Sequence, residues 1–287
     1  MTEEHQRGSR LSVGDRRAVV IGLGALAWLV ALLWVFPIGW TVFTSFKTEQ
    51  DASAQTLHHG LSFGRYGDVT ESTTGTLSLQ TAFTNSVVVV LVSTFIVLLL
   101  AIPAAYALSI RPIHKWRDVL FFFISTKFLP IVASIFPIYV YAQRWNLIGT
   151  RTSLIVLYIA INLPLAIWML HSFFKEVPRE LIEAAELDGT NLLNQLRTVI
   201  LPIVAPGIAA TALLCVIFAW NEYFYALQLN FANGSTMPQW VTSNVSTRGN
   251  FLAKLSAAAV LACLPVVIAG WAAQKRMIRG LSMGALK

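Results

Sequence analysis

Glu183, Glu186 and Asp188 lie within six residues of one another, interleaved with Ala184, Ala185 and Leu187, closed by Gly189 and followed by Leu201-Pro202. This polar island sits between two long apolar runs, where a lipid-facing chain needs a reason to keep it. The chemistry open to it is recognition. Glu183 and Glu186 can pair with basic groups on another protein, and the alanines leave little side-chain bulk to hold that surface away. The alternative is an amphipathic hairpin resting on lipid headgroups, but such a helix is expected to carry Lys and Arg, and this one is net acidic.

Elsewhere the residue types that perform catalysis do not assemble. The chain lacks a Gly-x-x-x-x-Gly-Lys-Ser/Thr phosphate loop, a His-Glu-x-x-His zinc pair and a Gly-x-Ser-x-Gly elbow. His58 and His59 are adjacent in a polar loop with no further ligands close in sequence, so a solvated loop is expected there and no metal. Cys215 and Cys263 fall in apolar runs, where they serve as small hydrophobes. Lys127 and Glu222 are charges placed within apolar runs, and each costs about 2.5–3.5 kcal/mol at the centre of a membrane. Both should face protein or water. With Asn162, Trp220, Asn221 and Tyr223 they are candidates for a pathway across the membrane. The competing reading is structural, because polar side chains also join helices and aromatic residues line interfaces.

The frame that must hold these groups follows from composition. The chain has 287 residues, 56% hydrophobic and only 12% charged, with a mean hydropathy of +0.64. A hydrocarbon core about 30 Å thick takes roughly 20 helical residues. Apolar runs of that length cover residues 18–46, 85–109, 119–142, 152–174, 203–229 and 255–273. None alternates with period two, which excludes a barrel and leaves helices. The expected fold is all-α, an integral membrane bundle of six transmembrane helices.

Lys and Arg in the connections number fourteen on the side of the termini and six on the other, with Lys127 inside the third run. The positive-inside rule therefore puts both termini in the cytoplasm. The formal charge of +7 is explained by this scatter over short loops, and no nucleic-acid ligand is expected. Residues 1–17 form a cytoplasmic segment, 18–274 the membrane domain and 275–287 a cytoplasmic tail. A polar stretch before an overlong apolar run points to a retained anchor in place of a cleaved signal.

The connection at 175–202 reads as helix, turn, helix. Pro178 and Glu180 suit the start of a helix over 179–187, and Asp188-Gly189 its exit. Thr190 can cap a second segment with Leu192, Leu196 and Val199 at helical spacing, stopped by Pro202 before the fifth run. Pro130, Pro137, Pro164, Pro206-Gly207 and Pro265 remove helix hydrogen bonds in the third to sixth runs, which would then line a passage. Static bundles carry such kinks too.

Glu183-Ala184-Ala185, Gly189 and Leu201-Pro202 resemble the EAA loop of permease subunits of bacterial ATP-binding-cassette importers, with Val199 where that family commonly has isoleucine. Trp220-Asn221-Glu222-Tyr223 and the tail from Arg279 resemble the MalG-like, carbohydrate-importing branch. The resemblance implies an inner-membrane subunit with no ATPase site or cofactor of its own, ATP and Mg being bound by partners. Those partners are a second homologous permease, two copies of a P-loop ATPase and an extracytoplasmic substrate-binding protein. It implies that 183–189 couples to the ATPase, Glu183 and Gly189 being central, and that Gly280, Leu281, Ser282, Met283 and Gly284 reach between the ATPases. A basic tail drawn to anionic lipid is the other reading of that segment. The cargo implied is a sugar or sugar alcohol, to which the pathway amides could hydrogen-bond. Import of another solute, or an ion-gradient transporter using Lys127 and Glu222, stand as alternatives, although no internal repeat supports the latter.

Overall fold

The computed structural model describes residues 13–55, 62–71, 78–111, 113–229, 235–245 and 251–284, with side chains described from residue 19 to residue 274 within these ranges. No strand occurs among the described residues. The helices are α1 (Val13–Ser45), α2 (Glu49–Ser53), α3 (Gly64–Glu71), α4 (Leu79–Ser109), α5 (Trp116–Ser125), α6 (Ile131–Arg144), α7 (Arg151–Lys175), α8 (Arg179–Leu187), α9 (Leu192–Asn194), α10 (Leu201–Trp220), α11 (Phe224–Gln228), α12 (Met237–Ser243) and α13 (Leu252–Gly284).

Five helical stretches are long and apolar enough to cross a membrane unaided, and a sixth crossing exists if one bent pair counts as a single span. That pair corrects the expectation of a continuous third helix. α5 and the short 3-10 turn Thr126–Phe128 meet α6 at 93°. The cause is local. Pro130 forces the residue before it out of the α region, and Leu129 is extended at φ −63°, ψ 128°. The other prolines expected to interrupt spans, Pro137, Pro164, Pro206 and Pro265, all lie inside helices.

The scaffold is the α4–α7 pair, which packs more extensively than any other pair of described elements. α4 buries a stripe of small or β-branched residues, Ala82, Ser86, Val89, Ser93, Val97, Ala101 and Ala105, spaced three or four apart. Without large side chains on that stripe, the α7 backbone can approach closely. Two apolar clusters result. One surrounds Tyr158, Trp220 and Trp240 at one end of the bundle; the other surrounds Phe174, Leu170, Leu108 and Ile200 at the end that carries α8. α10 crosses α7 where Gly207 meets the ring of Phe173, and a Cβ there would overlap the ring.

The end remote from α8 is fastened by polar bonds between distant parts of the chain. Glu49 accepts hydrogen bonds from the backbone N–H groups of Ala253 (3.1 Å) and Lys254 (2.8 Å), capping the start of α13. Ser86 Oγ accepts from Met237 N (2.8 Å), and Asn85 bonds both Ser235 O (3.3 Å) and Arg151 Nε (2.7 Å). α1 differs from the rest. Its apolar residues from Val19 to Gly39 are all exposed, and it is buried only near its end, at Thr44 and Ser45, where Ser45 Oγ pairs with Tyr66 Oη at 2.8 Å.

The Gly207 crossing yields a stability test. Gly207→Ala should destabilise the detergent-solubilised protein by about 1–3 kcal/mol through overpacking. Gly22→Ala, at a position with nothing near the added methyl, should leave the thermal midpoint unchanged or slightly raised. Equal midpoints for the two variants would contradict the close crossing.

Candidate functional site

α8 begins where Pro178, extended at φ −60°, ψ 133°, releases the chain from buried Val177, and Glu180 in its first turn complements the positive end. It ends in a Schellman motif. Gly189 N bonds Glu186 O at 3.0 Å and Thr190 N bonds Ala185 O at 3.2 Å, with Gly189 left-handed at φ +71°. Nothing lies within 4 Å of a Cβ added at Gly189. Glycine is therefore required for its backbone angle, not for space.

Two local expectations are overturned here. Thr190 does not cap the next helix. Its Oγ1 donates to Ala185 O (2.6 Å), completing the end of α8, while Asn191 Oδ1 accepts from Asn194 N (2.9 Å) and is the cap. Nor does Pro202 stop a segment. α9 runs through a π-helical turn, Gln195–Ile200, into α10, so that one helical stretch extends from Leu192 to Trp220. Pro202 lies in the first turn of α10. The widened register, with Leu201 N bonded to Leu196 O, falls in the turn just before it.

Ala184 and Ala185 do not share a face, since successive helical residues point about 100° apart. Ala185 is buried and, with Ile182, faces the bundle; Glu183 and Ala184 face out. Leu187 is 90% exposed, and Leu181, Leu192 and Leu193 are also exposed, so the surface displayed here mixes apolar side chains with exposed Glu180, Glu183 and Glu186. Leu201 packs with Ile182, Leu196 and Val199 against the Phe174 cluster, while Pro202 stays exposed. Arg111 at the end of α4 pairs with Glu186 at 2.5 Å, both side chains being about half exposed.

Among the described residues the intramembrane candidates make no hydrogen bond to one another, their bonds running to other parts of the fold. Lys127 Nζ donates to Ile161 O (2.7 Å), close to the Pro164 position in α7. Asn162 is buried, its amide donating to Tyr158 O (3.0 Å) while its Oδ1 has no partner. Trp220 Nε1 donates to Ala262 O (3.0 Å), joining α10 to α13, and exposed Asn221 bonds back to Ile217 O (2.8 Å). Glu222 is not an isolated charge. It sits in the break after α10, accepting from Tyr225 N (2.8 Å), Ala226 N (3.1 Å) and Tyr158 Oη (3.0 Å), and so caps α11. The fifth span accordingly ends at Trp220, with half-buried Tyr223 preceding α11.

Tyr158 and Gln195 were not singled out in the sequence. A polar Gln in an apolar helical stretch was a readable signal; the pairing of Tyr158 with a residue 64 positions away was not. The backbone of Gly280, Leu281, Ser282, Met283 and Gly284 continues α13, but their side chains lie outside the described residues.

A capped helix displayed at one end of a bundle of five or six crossings agrees with comparison to known proteins. Residues 98–282 match the family described as binding-protein-dependent transport system inner membrane component. The chain belongs to this family. The permease is 31% identical over 258 residues to the sulfoquinovosyl glycerol transport system permease of Agrobacterium fabrum, covering 88% of this chain and 89% of the relative. It is 29% identical over 275 residues to the trehalose/maltose transport system permease of Thermococcus litoralis, covering 94% and 97%. Its fold matches a chain of a bacterial ABC transporter involved in the import of the acidic polysaccharide alginate, with a TM-score of 0.70, 22% identity and coverage of 92% and 98%. Family membership sets aside the ion-gradient transporter and makes the permease a multi-pass inner-membrane protein.

The Glu222 cap can be tested by substitution. Glu222→Ala leaves two backbone donors and a tyrosine hydroxyl without their acceptor and should cost about 1–3 kcal/mol, read as a lower midpoint in detergent. Glu222→Gln keeps a carbonyl acceptor and should lose less. Asn221→Ala should stay within about 0.5 kcal/mol of the parent.

Proposed function

We propose that this permease forms half of the pathway of an ATP-driven importer for a sugar or sugar alcohol, and that α8 is the element through which ATPase subunits drive it. The observation that carries the reading is the two-sidedness of α8. Its inner face, Ile182 and Ala185, is seated on the bundle core, while Leu181, Glu183, Ala184 and Leu187 are displayed outward. A capped helix of nine residues held between two long spans can pass on a push as a rigid body. The carbohydrate assignment is supported by the names of the relatives, which transport sulfoquinovosyl glycerol and trehalose/maltose.

On this reading both termini and α8 are cytoplasmic, as the excess of Lys and Arg at that end favours. The partners are a second homologous permease, two copies of a P-loop ATPase and an extracytoplasmic binding protein. ATP and Mg are bound by the ATPases, this chain supplying no nucleotide site. The tail, Gly280 to Gly284, extends α13 toward them. Lys127, Asn162, Asn221 and Tyr223 are the pathway candidates that remain after Trp220 and Glu222 are accounted for by helix joining and capping. Each of those two can still border the passage.

Three experiments bear on this. The tagged chain, extracted in mild detergent, should co-purify with a P-loop ATPase and a second permease in stoichiometric amounts; recovery of the chain alone, moving solute in vesicles without ATP, would overturn the assignment. In the assembled complex, Glu183→Lys and Gly189→Leu should lower ATP hydrolysis stimulated by loaded binding protein about 5- to 150-fold, with membrane insertion intact. Normal stimulation in both variants would remove α8 from the coupling route. Deleting the last eight residues should weaken ATPase recovery, and unchanged assembly and transport would assign the tail to lipid.

A further inference from the structure

Gln195 is 1% exposed, and both ends of its amide are used. Nε2 donates to Ile182 O in α8 at 3.0 Å, and Oε1 accepts from Tyr106 Oη in α4 at 3.1 Å. Its own backbone opens the π-helical turn that leads into α10, with its N–H bonded to Asn191 O at 2.9 Å. A single side chain therefore joins three elements at the end of the bundle that carries α8. The other polar tie between α4 and α8, Arg111 to Glu186, is half exposed and open to water and salt. A buried amide bonded at both ends has no such competitor, so its geometry is the more strongly held.

We propose that Gln195 is a positioning residue that joins α8 to the ends of α4 and α10, so that a displacement of α8 moves all three as one body. This rests on the reading of α8 as the coupling element and adds the route by which its motion enters the bundle. Without the amide, α8 would be connected to α10 by its turn and to α4 only by apolar contact and the exposed ion pair. α4 is half of the α4–α7 scaffold, so motion delivered to its end reaches the centre of the bundle, not only the helix that follows α8 in sequence. The π-helical turn contributes by placing Gln195 inward at the point where α10 has its widened, less regular register.

The test uses the complete complex with its ATPases and second permease in lipid nanodiscs, in a Cys263→Ser background with Cys215 buried. Spin labels at Ala107 on α4 and Glu180 on α8 report the joint, and labels at Glu180 and Val132 on α6 report movement of α8 against the bundle. Each pair is measured without nucleotide and after trapping with MgATP and vanadate. In the parent, the Glu180–Val132 distance should shift on trapping, while Glu180–Ala107 should hold to within about 2 Å. Gln195→Leu, of similar volume but without hydrogen bonds, should at least double the width of the Glu180–Ala107 distribution. Tyr106→Phe, which deletes one hydroxyl and little else, should do the same and serves if the leucine variant does not assemble. A Glu180–Val132 shift in the parent with an unaltered Glu180–Ala107 distribution in the variants overturns the role of Gln195 alone. An unmoved Glu180–Val132 distance overturns the coupling reading and this route with it.

Discussion

Inside a bilayer no water is available to satisfy a backbone N–H or C=O, so every departure from regular helix must find its partner within the protein. Several polar side chains of this permease bond backbone groups, at a break or across to a neighbouring helix. Glu222 takes the free N–H groups where α10 ends and α11 begins. Lys127, at the turn that bends the third span, reaches the carbonyl of Ile161. Trp220 bonds the carbonyl of Ala262 across to α13, and Gln195 bonds that of Ile182 beside a π-helical turn. Glu222, which reads in sequence as a costly intrusion into an apolar run, is in the fold the means by which the break between α10 and α11 stays satisfied.

That constraint divides the labour between the two ends of the bundle. Opposite α8, bonds from Glu49, Asn85 and Ser86 to segments 150 or more residues away hold the connections on the helix tops. At the α8 end the ties among the described residues are fewer, and a capped helix is left with one face uncovered. Between them the α4–α7 pair, packed through small residues, forms a stiff centre. A stiff centre and a displayed helix are the two parts that conversion of a partner's movement into a change of the bundle requires.

Much of this was legible in the sequence because its signals were local and long. Apolar runs of membrane length gave the spans, and Pro178, Asp188 and Gly189 gave α8 with the bounds it has. The errors arose where two local signals competed. Thr190 and Asn191 are both good helix caps, and the choice was made by the bonds from Thr190 to Ala185 that close the preceding helix. Pro202 suits a first turn as well as a stop. The 93° bend was marked by Leu129-Pro130 but is invisible to an average over hydropathy. The partnership of Glu222 with Tyr158, and of Gln195 with Tyr106, depends on which helices become neighbours, and no spacing rule supplies that.

The Glu49 cap on α13 also sets an order of events during synthesis. Glu49 leaves the ribosome about 200 residues before the N–H groups of Ala253 and Lys254 that it serves. α1, whose contacts with other helices are chiefly with α13, must likewise wait in the lipid as an unattached anchor. The first span inserted is thus among the last to be docked, and a chain cut short before its sixth span would leave an idle carboxylate at Glu49 and a loose leading helix. That pairing of α1 and Glu49 with α13 makes synthesis of the sixth span the step that closes this bundle.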